Sequence, residues 1–127
     1  MNTPALSTDR RTRLRAAWAA ELDAARDARS SGDTKGEWTH LERAHILSQP
    51  MVGAHVRTHL AMLTSALRRH DGHELAGQLF RLIVAAPGSM TGRYPVGNTG
   101  GADVSAFAPM PIPEDLQPLL PDTGATS

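Results

Sequence analysis

Apolar residues recur every three or four positions in four successive segments of the chain, which is the spacing of amphipathic helices. The predicted helices cover about 9–30, 33–49, 52–70 and 73–86. Pro50 ends the second helix, and Pro87 with Gly88 ends the fourth, because proline lacks an amide hydrogen and clashes with the preceding turn. Thr8 or Asp9 can cap the first helix and Asp33 or Thr34 the second. The short connections predict two antiparallel helical hairpins.

The pattern changes after residue 86. Residues 87–113 are rich in glycine and proline, and the run Pro109-Met110-Pro111-Ile112-Pro113 should be extended. Pro113 can open a short helix over 114–119. We expect this segment to lie across the helices as an ordered strap. Its predicted apolar anchors are Val96, Val104, Phe107, Met110, Ile112, Leu116 and Leu119.

These elements predict one all-α domain over residues 1–127, an antiparallel four-helix bundle with an extended Pro/Gly-rich C-terminal strap. The helical core covers 9–86, the strap 87–120 and a loose tail 121–127. A chain of 127 residues is long enough to bury one hydrophobic core without disulfides.

Composition narrows the possible functions. Thirteen basic and thirteen acidic side chains cancel, so no net charge draws the chain towards nucleic acid or anionic lipid. The absence of cysteine excludes disulfides, thiolate metal sites and cysteine nucleophiles. No apolar run approaches the ~20 residues of a membrane span, and no signal peptide is visible. We therefore expect a cytoplasmic protein that binds neither nucleic acid nor membranes. The sequence leaves a homodimer open.

Residues able to bind metals fall inside or beside the predicted apolar faces of the first two helices. Glu21 lies on the face of the first helix that Leu14, Trp18 and Ala25 define. The second helix has Trp38 and Leu41 on its apolar side. Beside or between those two residues lie three polar ones, namely Glu42, His45 and Gln49.

The third helix adds two histidines to this set. Its predicted apolar stripe consists of Val52, Val56, Leu60, Leu63 and Leu67. His59 lies within that stripe and His55 on its edge, one turn earlier. His55-x-x-x-His59 is an i,i+4 pair, which lets two imidazoles converge on one ion.

Glu42-x-x-His45 places a carboxylate and an imidazole on one helix face, the i,i+3 spacing of carboxylate-bridged metal bundles. His45 lies about one turn before Pro50 and His55 about one turn after it. These residues should therefore lie at similar heights on adjacent antiparallel helices. The sequence predicts a transition-metal site formed by Glu42, His45, His55 and His59, with Glu21 and Gln49 as further ligands or orienting partners. Zinc, iron and manganese are the metals most expected, and copper(II) also suits these ligands.

Other interpretations remain open. The histidines could be core residues in a structural polar network, with Glu21 and Glu42 paired to Arg or His. The chain would then be a helical interaction module that binds a partner protein, rather than a metal-dependent enzyme with a small-molecule substrate. A weaker motif is the loop Gly97-Asn98-Thr99-Gly100-Gly101. With Arg93 nearby, Asn98 and Thr99 could help to bind an anion, although a tight turn explains the glycines better.

Three segments of the chain carry a resemblance to a known family. These are Leu41-Glu42-Arg43-Ala44-His45-Ile46-Leu47-Ser48-Gln49, Gly92-Arg93-Tyr94-Pro95-Val96-Gly97-Asn98-Thr99-Gly100 and Pro109-Met110-Pro111-Ile112-Pro113. Together they resemble a small bacterial family, the domain of unknown function 3703, over most of residues 10–120. The resemblance implies a compact, stand-alone bacterial protein and suggests that 92–113 does more than link. It implies no activity, so the metal-site prediction depends on helix geometry alone.

Overall fold

A computed structural model describes residues 7–91, 96–102 and 108–121, except for the side chains of 83–91. The elements are α1 (Thr8–Ser30), α2 (Thr34–Ser48), α3 (Val52–Arg68), α4 (Gly72–Thr91) and a 3₁₀ helix (Gln117–Leu119). The described residues contain no strand. α1 packs against α2 and α3 against α4, while α2 and α3 join the two pairs. The prediction of an all-α bundle of two helical hairpins is confirmed.

Side-chain caps fix where the first two helices begin. Ser7, one residue before the predicted caps, accepts a hydrogen bond at Oγ from the amide of Arg10 at 3.3 Å. Asp33 Oδ1 accepts one from the amide of Gly36 at 2.9 Å. Each cap satisfies a backbone amide that has no partner inside the helix. Gly32 has a φ of +78°, which lets the chain turn sharply between α1 and α2.

Two predicted helix bounds are wrong. α4 continues through Pro87 and Gly88 to Thr91. A proline removes one backbone hydrogen bond but leaves the turns on either side intact, so a helix can continue past it. The predicted helix over 114–119 is instead a turn followed by the 3₁₀ helix. Its backbone bonds span three residues, as in Leu119 N–H to Leu116 O at 3.1 Å, and Pro118 has no amide hydrogen for an α-helical bond.

The end of the strap contributes to the main hydrophobic core. Leu116 and Leu120 are buried there among side chains of α1 and α2 that include Trp18 and Leu47. Among the other predicted anchors, Ile112 and Leu119 pack against this cluster, and Val96 and Met110 are partly buried. Val104 and Phe107 lie outside the described residues.

The predicted apolar stripe of α3 does not face the core. Val52, Leu60 and Leu67 are 39%, 47% and 60% exposed. The buried side chains of α3 are Ala54, His55, Thr58, His59, Met62, Ser65 and Ala66. Most of these are small or able to hydrogen-bond, so this face fits closely against its neighbours and large branched residues are left outside. Within the described residues, no helix combines the length and apolar character needed to span a membrane.

Candidate metal centre

Three buried histidines meet between α2 and α3. The Nε2 atom of His45 lies 3.0 Å from Nε2 of His59 and 3.1 Å from Nε2 of His55. The third side of this triangle, from His59 to His55, is 3.2 Å. α2 supplies His45, and consecutive turns of α3 supply the i,i+4 pair. The matched heights around Pro50 that the sequence predicts therefore occur in the structure.

The size of this triangle suits a single metal ion. For tetrahedral zinc with Zn–N distances of ~2.0–2.1 Å, two nitrogen ligands lie ~3.3 Å apart. The three Nε2 separations are only slightly shorter than this. His45, His55 and His59 form the one group of three or more clustered potential ligands in the described part of the chain. They could hold a metal ion.

Hydrogen bonds on the far side of two rings determine which nitrogen carries the proton. His45 Nδ1 lies 2.6 Å from the backbone oxygen of Asn98, which can only accept, so Nδ1 is the donor. His59 Nδ1 lies 2.6 Å from Oε1 of Gln78. The amide group of Gln78 donates to Glu74 Oε1 and to Gly100 O, both at 2.7 Å, so its oxygen must face His59. Both rings therefore direct an unprotonated Nε2 into the triangle.

Burial keeps the imidazoles of His45 and His59 neutral. The pKa of His45 lies well below its usual range because of burial, with the neighbouring His59 and His55 acting in the same direction. Burial likewise lowers the pKa of His59 to about 4, although the hydrogen bond to Gln78 opposes the shift. A neutral imidazole with a free lone pair is the form that binds metals.

The strap packs directly on the cluster. Gly100 has a φ of +82°, and a Cβ atom there would lie 2.6 Å from Cδ2 of His45. The side chain of Asn98 fixes this loop, because Oδ1 accepts from the amide of Gly100 at 2.9 Å and Nδ2 donates to the oxygen of Ala108 at 2.7 Å. Arg81 of α4 approaches the same Oδ1 at 3.4 Å. The loop holds the carbonyl that orients His45 and covers one side of its ring.

Glu42 and Gln49 are placed differently from the histidines. The side chain of Glu42 is partly buried and hydrogen-bonds to Thr99 of the strap, outside the three-histidine group. Burial raises the pKa of Glu42, the hydrogen bond to Thr99 lowers it, and the charge of Glu74 raises it, with a net increase. Gln49 is buried directly after the end of α2.

Glu21 of α1 takes part in a hydrogen-bonded network with side chains of α2. Its carboxylate oxygens lie 2.7 Å from Nδ1 of His40 and 2.8 Å from Nε of Arg43. Arg43 also pairs with Asp115 near the 3₁₀ helix. Glu21 is outside the histidine group, so the structure gives it the Arg and His partners of the alternative interpretation.

Two of the three residues predicted for an anion site form hydrogen bonds that hold the strap against the helices. Asn98 orients His45 and closes its own loop, and Thr99 bonds to Glu42. Arg93 lies outside the described residues.

Sequence reasoning missed Gln78 and Glu74, which hold His59 from α4. Their i,i+4 spacing among apolar residues was the available signal, because two buried polar side chains one turn apart are expected to bond each other.

Comparison with known proteins identifies the family. No curated protein and no solved structure matches the chain. A family model described as "Protein of unknown function (DUF3703)" matches residues 12–120. That range includes α2 and α3 with all three histidines, and also the strap. The chain therefore belongs to the DUF3703 family.

Proposed function

We propose that the protein binds a transition metal ion through the Nε2 atoms of His45, His55 and His59. The observation that carries the proposal is the triangle of Nε2 atoms 3.0–3.2 Å apart. Lone pairs at that separation repel one another unless a cation or a shared proton lies between them. The hydrogen bonds to Asn98 and Gln78 place the protons of two rings on Nδ1 and so favour a cation.

Zinc is the metal that this site suits best. Imidazole nitrogen suits zinc, copper, iron and nickel, whereas manganese prefers oxygen ligands. Three neutral protein ligands also leave a fourth tetrahedral position open, which is the arrangement of catalytic zinc sites rather than of closed structural ones. Such a site could bind a water molecule or a small-molecule substrate, and we propose a metal-dependent enzyme on this basis.

Metal analysis of protein purified without an affinity tag tests the proposal. We expect one zinc ion per chain, and for the metal-free protein a rise in melting temperature with zinc. Zinc at a hundredfold excess over its dissociation constant would stabilise the fold by about 2.7 kcal/mol. Iron(II), manganese and copper(II) are compared in the same way. His45→Ala and His55→Ala should each remove the rise, measured against the metal-free form of the same variant so that a loss of folding is not mistaken for a loss of binding.

His70→Asn is the matched control. His70 is an exposed histidine with a φ of 54°, a conformation that asparagine tolerates. This variant should respond to zinc like the wild type. Glu42→Gln tests the size of the ligand set, because weakened zinc binding would place Glu42 in the fourth position. A wild type that holds no metal and does not respond to any of the four ions would overturn the proposal, as would an equal loss in His70→Asn.

A second candidate function is a protein-interaction module. The observation in its favour is the group of exposed apolar side chains on the second hairpin, Val52, Leu60, Leu67, Leu79 and Phe80. Single exposed apolar residues are common, but a series along one helix is typical of a contact surface. Sedimentation over a range of concentrations tests for a homodimer. A strictly monomeric wild type would contradict that form of the candidate.

A further inference from the structure

A cleft lies beside the first half of α2, between residues of α1 and α3. α1 and α3 each pack against α2, and both helices contribute residues to the walls of the cleft. The cleft has a volume of about 200 Å³. Its apolar lining consists of Leu22, Ala25, Leu41 and Ala61. None of its lining residues belongs to the histidine cluster.

Four arginines surround this cleft, two from α1 and two from α3. They are Arg26, Arg29, Arg57 and Arg68. Arg26 pairs with Asp23 at 2.8 Å, and Arg68 pairs with Glu37 at 2.6 Å. Within the described residues Arg29 and Arg57 form no ion pair, although Arg57 lies over the ring of Trp18 at 5.4 Å. Two guanidinium groups on opposite helices therefore remain available to an anion.

Glu37 holds one side of the cleft in place. Its carboxylate is 4% exposed and accepts two hydrogen bonds from Arg68, at 2.6 and 3.3 Å. Burial alone would raise its pKa, but hydrogen bonds from Arg68 and Ser65 and the charges of Arg68 and Arg29 lower it overall. The carboxylate is thus ionised and satisfied. It fixes the Arg68 guanidinium at the cleft, a preorganised position of the kind that ligand sites use.

We propose that this cleft binds a small amphiphilic anion, a carboxylate or phosphate monoester that carries a short apolar group. The apolar lining would bury the hydrocarbon part, and Arg29 and Arg57 would bind the anionic head from the two sides. Guanidinium groups match both carboxylate and phosphate geometry. A volume of about 200 Å³ corresponds to roughly seven water molecules, so a chain of about six carbons fits better than a long lipid.

Hexanoate and hexyl phosphate are the probes, and NMR titration of the full-length protein is the measurement. Binding should shift amide signals at Leu22, Ala25 and Ala61 in a saturable way. Hexan-1-ol, hexylammonium and inorganic phosphate are the comparison ligands, each of which lacks one half of the proposed chemistry. We expect hexanoate or hexyl phosphate to bind at least about tenfold more tightly than any of these. The stronger of the two identifies the preferred head group.

A double variant, Arg29→Gln with Arg57→Gln, tests the role of the two unpaired guanidinium groups. It should weaken binding of the preferred probe about tenfold or more, and a thermal melt checks that the loss of the Trp18 contact has not unfolded it. Arg15→Gln, an exposed arginine of α1 outside the cleft, is the matched control and should bind like the wild type. Equal binding of hexan-1-ol or of inorganic phosphate, unshifted cleft signals, or unchanged binding by the double variant would each overturn the proposal.

Discussion

The two faces of α3 differ in a way that reverses the usual arrangement of a surface helix. The face turned towards the other helices carries His55, Thr58 and His59, all buried. The face turned towards solvent carries Leu60 and Leu67, which are about half exposed. Amphipathic helices normally bury their large apolar residues. In this helix, hydrogen-bonding side chains occupy the buried side.

This difference shows that hydrogen-bonding partners for polar side chains can outweigh the burial of apolar side chains in determining which face of a helix is buried. Thr58 accepts a hydrogen bond from Trp18 Nε1 at 2.9 Å, and His59 bonds to Gln78. Each such hydrogen bond contributes about 0.5–1.5 kcal/mol net, because the same groups would bond to water if the other face were buried. Burying a leucine gains about 1.5–3 kcal/mol, so several satisfied polar groups together can compete with an apolar stripe. A metal ion bound by the histidines would further stabilise the orientation that buries this face.

Acidification should destabilise the metal-free protein, and this is the largest effect expected from the polar face. Burial lowers the pKa of His59 to about 4 in the folded state, from its ordinary value of 6.5. Between pH ~6.5 and ~4 the unfolded chain takes up a proton at His59 that the folded chain does not. The free energy of unfolding is therefore constant above pH ~6.5 and falls through this range. The full loss from His59 is at most about 3 kcal/mol, and His45 acts in the same direction.

Urea unfolding of metal-free protein at pH 7.5, 6.5, 5.5 and 4.5 measures this effect. Paired carboxylates also lose stability in acid, but chiefly below pH 5. The informative quantity is therefore the difference between the wild type and His59→Gln above that value. Parallel curves for the two proteins down to pH 5 would contradict a buried neutral histidine at position 59.

Replacing Gln78 with leucine should weaken zinc binding about 10- to 100-fold, which is the usual effect of losing a residue that orients a metal ligand. The variant removes the acceptor that keeps the proton of His59 on Nδ1. Competition with a chromophoric chelator measures the affinity. Leu79→Gln is the control. The side chain of Leu79 follows Gln78 in the sequence but is exposed, so this substitution should leave zinc affinity unchanged. A Gln78→Leu variant with wild-type affinity would show that the tautomer is not held in this way.

Polar substitutions on the outer face of α3 should have the smallest effect. Leu60→Gln and Leu67→Gln are each expected to change the free energy of unfolding by no more than about 0.5 kcal/mol, because surface substitutions rarely do more. Chemical denaturation at neutral pH measures this. Met62→Gln, at a fully buried position on the other face, is the comparison and should be destabilised much more strongly. A loss above about 2 kcal/mol in either leucine variant would mean that the outer face is covered in solution.

Local patterns in the sequence were sufficient to predict the helices and the meeting of His45, His55 and His59. Both depend on short-range features, namely apolar periodicity, helix caps and the symmetric spacing of two histidines around Pro50. The orienting partners could not be predicted in this way. Gln78 lies 19 residues from His59, and Asn98 lies 53 residues from His45. Such contacts depend on how α4 and the strap pack, which no local pattern specifies.

The buried face of α3 was predicted wrongly for a similar reason. The apolar periodicity of α3 identified a helix, but periodicity does not indicate which side has partners for its polar groups. Glu21 lies on a predicted apolar face, and in the structure its carboxylate pairs with His40 and Arg43. A carboxylate between two adjacent helices can be satisfied by whichever cation is nearest. Position on a helical wheel alone cannot distinguish these outcomes.

The contact between Gly100 and the His45 ring has an evolutionary consequence. Any side chain at position 100 would overlap the imidazole, and the positive φ disfavours other residues independently. Selection for the histidine should therefore also maintain the glycine. In an alignment of DUF3703 sequences the two positions should be lost together, and a member that keeps histidine at position 45 should rarely replace the glycine. Gly97 should be equally invariant for a different reason, since its Cβ would overlap the backbone oxygen of Met110 whether or not the histidine is present.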